Sequence, residues 1–77
     1  MHVESLVRMA NQIGTFFEAM PDRPEALEGI AQHLKKFWEP RMRSALLAYI
    51  DEGGQTEMSA LSPMVREAVN LHRDVLA

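Results

Sequence analysis

Between residues 3 and 20 the apolar side chains Val3, Leu6, Ala10, Ile13, Phe17 and Met20 recur at steps of 3, 4, 3, 4 and 3. Only an α-helix turns that spacing into one continuous face. Val7 and Gly14 widen the stripe. Met9 and Phe16, seven residues apart, form a second and smaller apolar line about 100° round from its centre. Met20-Pro21-Asp22 ends the helix. The same period returns in Leu27, Ile30, Ala31, Leu34, Phe37 and Trp38, after a start at Asp22 to Pro24 where Asp22 and Glu25 have capping-box spacing and Pro24 suits a first turn. Pro40 forces Glu39 out of the helical region. A third helix carries Met42, Ala45, Leu46, Tyr49 and Ile50 inward and stops at Gly53-Gly54. Residues 55–61 read as a polar loop. Ser62-Pro63 opens a fourth helix with Val65, Ala68, Val69, His72, Val75 and Leu76 as its stripe. No segment alternates with period two, so no strands are expected. The predicted fold is all-α, a small bundle of three to four short helices near 3–19, 24–38, 41–52 and 63–76.

Seventy-seven residues hold one such helical domain, spanning 1–77, and exclude a doubly wound nucleotide fold, a barrel or a two-domain enzyme. A folded chain of this size buries only about 60% of the surface its unfolded form exposes. With no cysteine there is no disulfide or thiolate-bound metal to compensate. A chain this marginal is expected to be part of something larger.

Eight basic and eleven acidic residues leave a net charge of −3, which argues against a general nucleic-acid binder. The charge is unevenly spread. Lys35, Lys36, Arg41 and Arg43 face only Glu39 in their window, so that stretch is +3 and the remainder −6. No apolar run is long enough to span a membrane, and the N-terminus lacks the pattern of a signal peptide. The expected location is the cytoplasm.

Residues that could carry chemistry are scarce. His2, His33 and His72 share no metal-ligand spacing and no cysteine completes a zinc set. His72 reads as a partly buried or interfacial residue of the fourth stripe. Glu25 and Glu28 complement the dipole of the second helix, whereas Asp51 and Glu52 stand at the wrong end of the third and read as solvated. Gly53-Gly54 lacks the rest of a phosphate loop. No catalytic, cofactor or metal site is expected in this chain.

The segment from Leu34 to Arg43 interleaves basic and aromatic residues. It suits intramolecular packing, with Phe37 and Trp38 on the core stripe, or a protein interface. A small nucleic-acid-binding module, stacking bases and contacting phosphates, is a further alternative. Arg41 and Arg43 stand in the first turn of the third helix, where the macrodipole disfavours cations by a few tenths of a kcal/mol each. Compensation from elsewhere is therefore expected. Six methionines fill irregular cores and also coat adaptable interfaces. An autonomous homo-oligomer is the third possibility.

Leu6-Val7-Arg8-Met9-Ala10-Asn11-Gln12-Ile13-Gly14 with Phe16-Phe17 resembles the opening of the delta subunits of soluble NAD-dependent formate dehydrogenases. Ile30-Ala31-Gln32-His33-Leu34 running into Phe37-Trp38-Glu39-Pro40-Arg41-Met42-Arg43 is similar to the same family, as is Leu61-Ser62-Pro63-Met64-Val65-Arg66-Glu67-Ala68-Val69 to its closing segment. The likeness covers roughly residues 3 to 70. It implies a non-catalytic accessory subunit supporting assembly, stability or activity of a larger complex. The molybdenum or tungsten bis-pterin centre and iron–sulfur clusters would then lie in the alpha subunit, and the FMN and NAD site in the beta and gamma subunits. The expected partner is the alpha subunit and, through it, beta and gamma, with neither nucleic acid nor membrane involved. Arg8, Asn11 and Gln12 lie off the main stripe without a core role. Arginine and tryptophan are enriched among interface hot spots. The expected interface is therefore Arg8, Asn11, Gln12, Trp38, Arg41 and Arg43. Otherwise Trp38 is core and the arginines pair with Glu18 or Glu39.

Overall fold

The computed structural model describes residues 3–52 and 61–76. The expected Gly53-Gly54 stop, residues 55–60 of the expected loop, Met58 and His2 lie outside the described residues. The elements are α1 (Val3–Phe17), α2 (Arg23–Phe37), α3 (Pro40–Asp51), α4 (Pro63–Leu71) and α5 (Arg73–Leu76), and there is no strand among the described residues.

Each boundary has a local cause. Asp22 is the N-cap of α2, its carboxylate accepting the Glu25 N–H at 3.4 Å, with proline in the first turn. Glu39 is extended at φ −68° and ψ 153°, as a residue before proline must be, and Pro40 opens α3. Ser62 precedes Pro63 at the start of α4, but its hydroxyl makes no capping bond.

The fourth expected helix is not continuous. His72, at φ −116° and ψ 33°, still donates its N–H to Ala68 O, and its own carbonyl then accepts from Val75 and Leu76. The chain therefore restarts as α5. This bend carries Leu76 into the core, where it is 3% exposed.

α2 is the central element and packs against α1, α4 and α5, while α1 also touches α3 and α4. The interior is built from the expected stripes: Leu6, Val7 and Ala10 of α1, Leu27, Ile30 and Leu34 of α2, Leu46 and Tyr49 of α3, Val65, Ala68 and Val69 of α4. No buried residue among those described is polar or charged. Gly14 gives α4 its close approach to α1, since a Cβ there would stand 2.7 Å from Val65 Cγ2.

Candidate functional site

The five-residue link between α1 and α2 makes them antiparallel neighbours, and no other described helix covers one side of the pair. A groove of about 530 Å³ runs there. Met9, Gln12, Ile13, Phe16 and Phe17 line it from α1. His33 and the edge of Trp38 line it from the other wall. Phe16 is 74% exposed and Phe37, beside the groove, 71%. The Phe16 and Phe17 rings meet edge to face at 5.1 Å, and Phe37 leans on His33 at 4.8 Å. Two large aromatic side chains are thus left exposed on a chain this small. Each forgoes about 1.5–3 kcal/mol that burial would contribute.

The second apolar line of Met9 and Phe16 thus becomes one wall of the groove. Phe37, by contrast, was expected in the core and is outside it. By helical pitch it lies about 20° from Ile30. Trp38, however, turns out of the helix as the α2 C-cap at φ −90° and ψ 140° and takes the interior place, 6% exposed.

The six residues expected at an interface fall into three groups. Gln12 and Trp38 line the groove. Arg8 and Arg41 are exposed. Asn11 and Arg43 are joined to the chain's own backbone. The Asn11 carboxamide oxygen accepts the Ser62 N–H at 2.7 Å, fixing the entry of α4 onto α1. Asn11 therefore does have a structural role, which its place off the stripe conceals.

Arg43 donates to the carbonyls of Trp38 at 2.7 Å, Lys35 at 3.2 Å and Leu76 at 3.3 Å. These are orphan acceptors at the negative ends of α2 and α5. The expected compensation for a cation at the start of α3 exists, but carbonyls supply it, and Arg43 bonds neither Glu18 nor Glu39. Asp51 is likewise not merely solvated. It pairs with Arg73, joining the end of α3 to α5. The hydrogen bond from Arg73 holds the Asp51 carboxyl below its ordinary range, desolvation opposing it and the charge of Arg73 adding a lesser share, and the Arg73 guanidinium is raised in return. Arg23 and Glu67 form a further pair at 2.5 Å, half-exposed on both sides.

Arg43, one of the basic groups that a nucleic-acid surface would use, is committed to backbone carbonyls. His72 Nε2 is buried without a hydrogen-bond partner among the described residues. No group of three or more His, Cys, Asp or Glu among those residues could hold a metal ion. No helix among them is long and apolar enough to cross a membrane.

The family model described as NADH-dependant formate dehydrogenase delta subunit FdsD matches residues 5–69. That span takes in most of α1, all of α2 and α3 and most of α4, including both walls of the groove. The chain belongs to the FdsD family. No curated protein matches the chain, and no solved structure does. Membership in FdsD makes this a delta-subunit chain of a formate dehydrogenase complex.

Proposed function

We propose that this FdsD chain is a non-catalytic accessory subunit that supports assembly, stability or activity of a cytoplasmic NAD-dependent formate dehydrogenase, and that it docks on the large catalytic subunit through the α1–α2 groove. The exposure of Phe16 and Phe37 beside that groove carries the reading, because burying them is the gain a docked partner would realise. Gln12 and Trp38 form the contact, and Arg8 stands at its rim. Arg41, exposed where α3 begins, extends the surface past the α2–α3 turn. Asn11 and Arg43 act on it indirectly, by fixing α4 and the helix ends. The molybdenum or tungsten bis-pterin centre, the iron–sulfur clusters and FMN belong, in this reading, to the partner subunits.

The test is affinity purification of the tagged chain from its native extract, with mass-spectrometric identification of its companions, and of the same complex from cells lacking the chain. Co-purification of the large subunit, with lower yield or formate-dependent NAD reduction when the chain is missing, is the expected result. Recovery without formate dehydrogenase subunits would refute the proposal.

A further inference from the structure

The four residues of α5 are too few to hold a helix by their own hydrogen bonds, so its place depends on what seats it. It restarts after the break at His72, whose carbonyl accepts the N–H groups of Val75 and Leu76. Leu76 is buried in the core, its carbonyl accepts from Arg43 Nε at 3.3 Å, and Arg73 pairs with Asp51. That ion pair is exposed on both sides and contributes little. Leu76 and Arg43 therefore carry the seating. Against them stands His72 Nε2 at the hinge, buried without a hydrogen-bond partner among the described residues, a cost that contact with water would relieve.

Arg43 does not serve α5 alone. Its Nη1 donates to Trp38 O at 2.7 Å and to Lys35 O at 3.2 Å. Trp38 has already left α2, and Pro40 beyond it has no N–H to give. The backbone N–H groups of Met42 and Arg43 both go to Glu39 O, so it is the Arg43 side chain that meets the Trp38 carbonyl. Trp38 in turn lines the groove, although no described residue of α4 or α5 does. One guanidinium thus joins α5 to the wall of a groove that α5 does not line.

We propose that α5 is a strap that sets the groove from outside it. Seated, it completes the Arg43 contacts that hold Trp38 in the groove wall; released, it frees Trp38 and weakens docking. Leu76 and Arg43 are positioning residues in this scheme. Its docking half rests on the accessory-subunit reading above, whereas the coupling of α5 to Trp38 concerns this chain alone. Linkage makes the effect reciprocal: a partner that binds better with α5 seated must itself favour the seated α5.

The experiment compares the full-length wild type with Leu76→Ala and Arg73→Ala, with circular dichroism as the control for folding. Leu76→Ala is expected to shift Trp38 emission to the red, to raise its quenching by acrylamide and to weaken retention of the large subunit about fivefold. Arg73→Ala removes only the exposed pair and is expected to match the wild type. A folded Leu76→Ala variant with unchanged Trp38 emission would overturn the inference, as would an Arg73→Ala variant that moves Trp38 as far. If Trp38 responds while retention does not, the coupling stands and docking through the groove fails. Hydrogen exchange of the wild-type chain, free and in the complex, tests the same linkage should Leu76→Ala not fold. The Val75 and Leu76 amides are expected to exchange about fivefold more slowly in the complex, and the slowing to shrink in Arg43→Lys, whose ammonium cannot bridge the same carbonyls. Unchanged exchange, or equal slowing in Arg43→Lys, would overturn the inference.

Discussion

Replacing Arg43 tests how the three ends of this small fold are held together. The guanidinium makes one short, part-buried bond to Trp38 O at 2.7 Å and two longer ones, to Lys35 O at 3.2 Å and Leu76 O at 3.3 Å. A hydrogen bond from a charged donor contributes about 1.5–3 kcal/mol, and weaker, water-accessible ones about 0.5–1 kcal/mol each. Water can replace the donor at Lys35 O, so Arg43→Ala is expected to cost about 2–4 kcal/mol. A chain of this length has a total stability of about 4–12 kcal/mol, so the loss lowers Tm on the order of 10–25 °C. Arg43→Lys keeps the charge, but a single ammonium cannot span three carbonyls, and about half the loss is expected. The assay is urea unfolding followed by far-ultraviolet circular dichroism and by the fluorescence of Trp38, the sole tryptophan and a buried one. The midpoint should fall at unchanged slope. An Arg43→Ala midpoint within about 0.5 kcal/mol of wild type, or an Arg43→Lys variant as stable as wild type, would show that these carbonyl contacts do not hold the ends together.

Two glycines should respond differently to alanine. Gly14→Ala drives a Cβ to 2.7 Å from the stiff, fully buried Val65 and should destabilise by about 1–2 kcal/mol by chemical denaturation, despite the gain in helix propensity. Among the described residues, a Cβ at Gly29 meets the Phe17 ring, which can swing into the groove. Stability should change by less than about 1 kcal/mol while retention of the large subunit falls. The Asp51 carboxyl is lowered in the folded state, so its contribution is present above the ordinary aspartate range and is lost as pH falls through the lowered value. Asp51→Asn should therefore remove a component of acid destabilisation below about pH 4, seen as a flatter plot of unfolding midpoint against pH.

The helices were legible because proline and three-four periodicity act locally. Pro24, Pro40 and Pro63 each stand in a first turn, and the starts of α2, α3 and α4 fall within one residue of the expected positions. The break at His72 was not legible, because Val69, His72 and Leu76 continue the stripe across it and nothing nearby marks a stop. The contacts that tie the helices together are long in sequence: Asn11 to Ser62, Arg43 to Leu76, Asp51 to Arg73. Local pattern says only that a charge sits at an unfavourable helix end, not which group will meet it. The same signal stands at Arg43 and at Asp51, and in both a group distant in sequence meets the charge. For the groove, Met9 and Phe16 form a visible line on α1, but their exposure depends on no other described helix covering that side. Phe37 fell outside the reading because a helical wheel cannot anticipate that Trp38 leaves the helix and fills the interior first.

The most direct test of the docking account is retention of the formate dehydrogenase large subunit by the Phe16→Ser, Phe37→Ser double variant. Both positions are exposed, so the variant should match the wild type in circular dichroism and unfold within about 0.5 kcal/mol of it. Binding should nonetheless weaken by at least tenfold, because two aromatic anchors are missing from the contact. A folded double variant that retains the large subunit as tightly as the wild type would contradict the account.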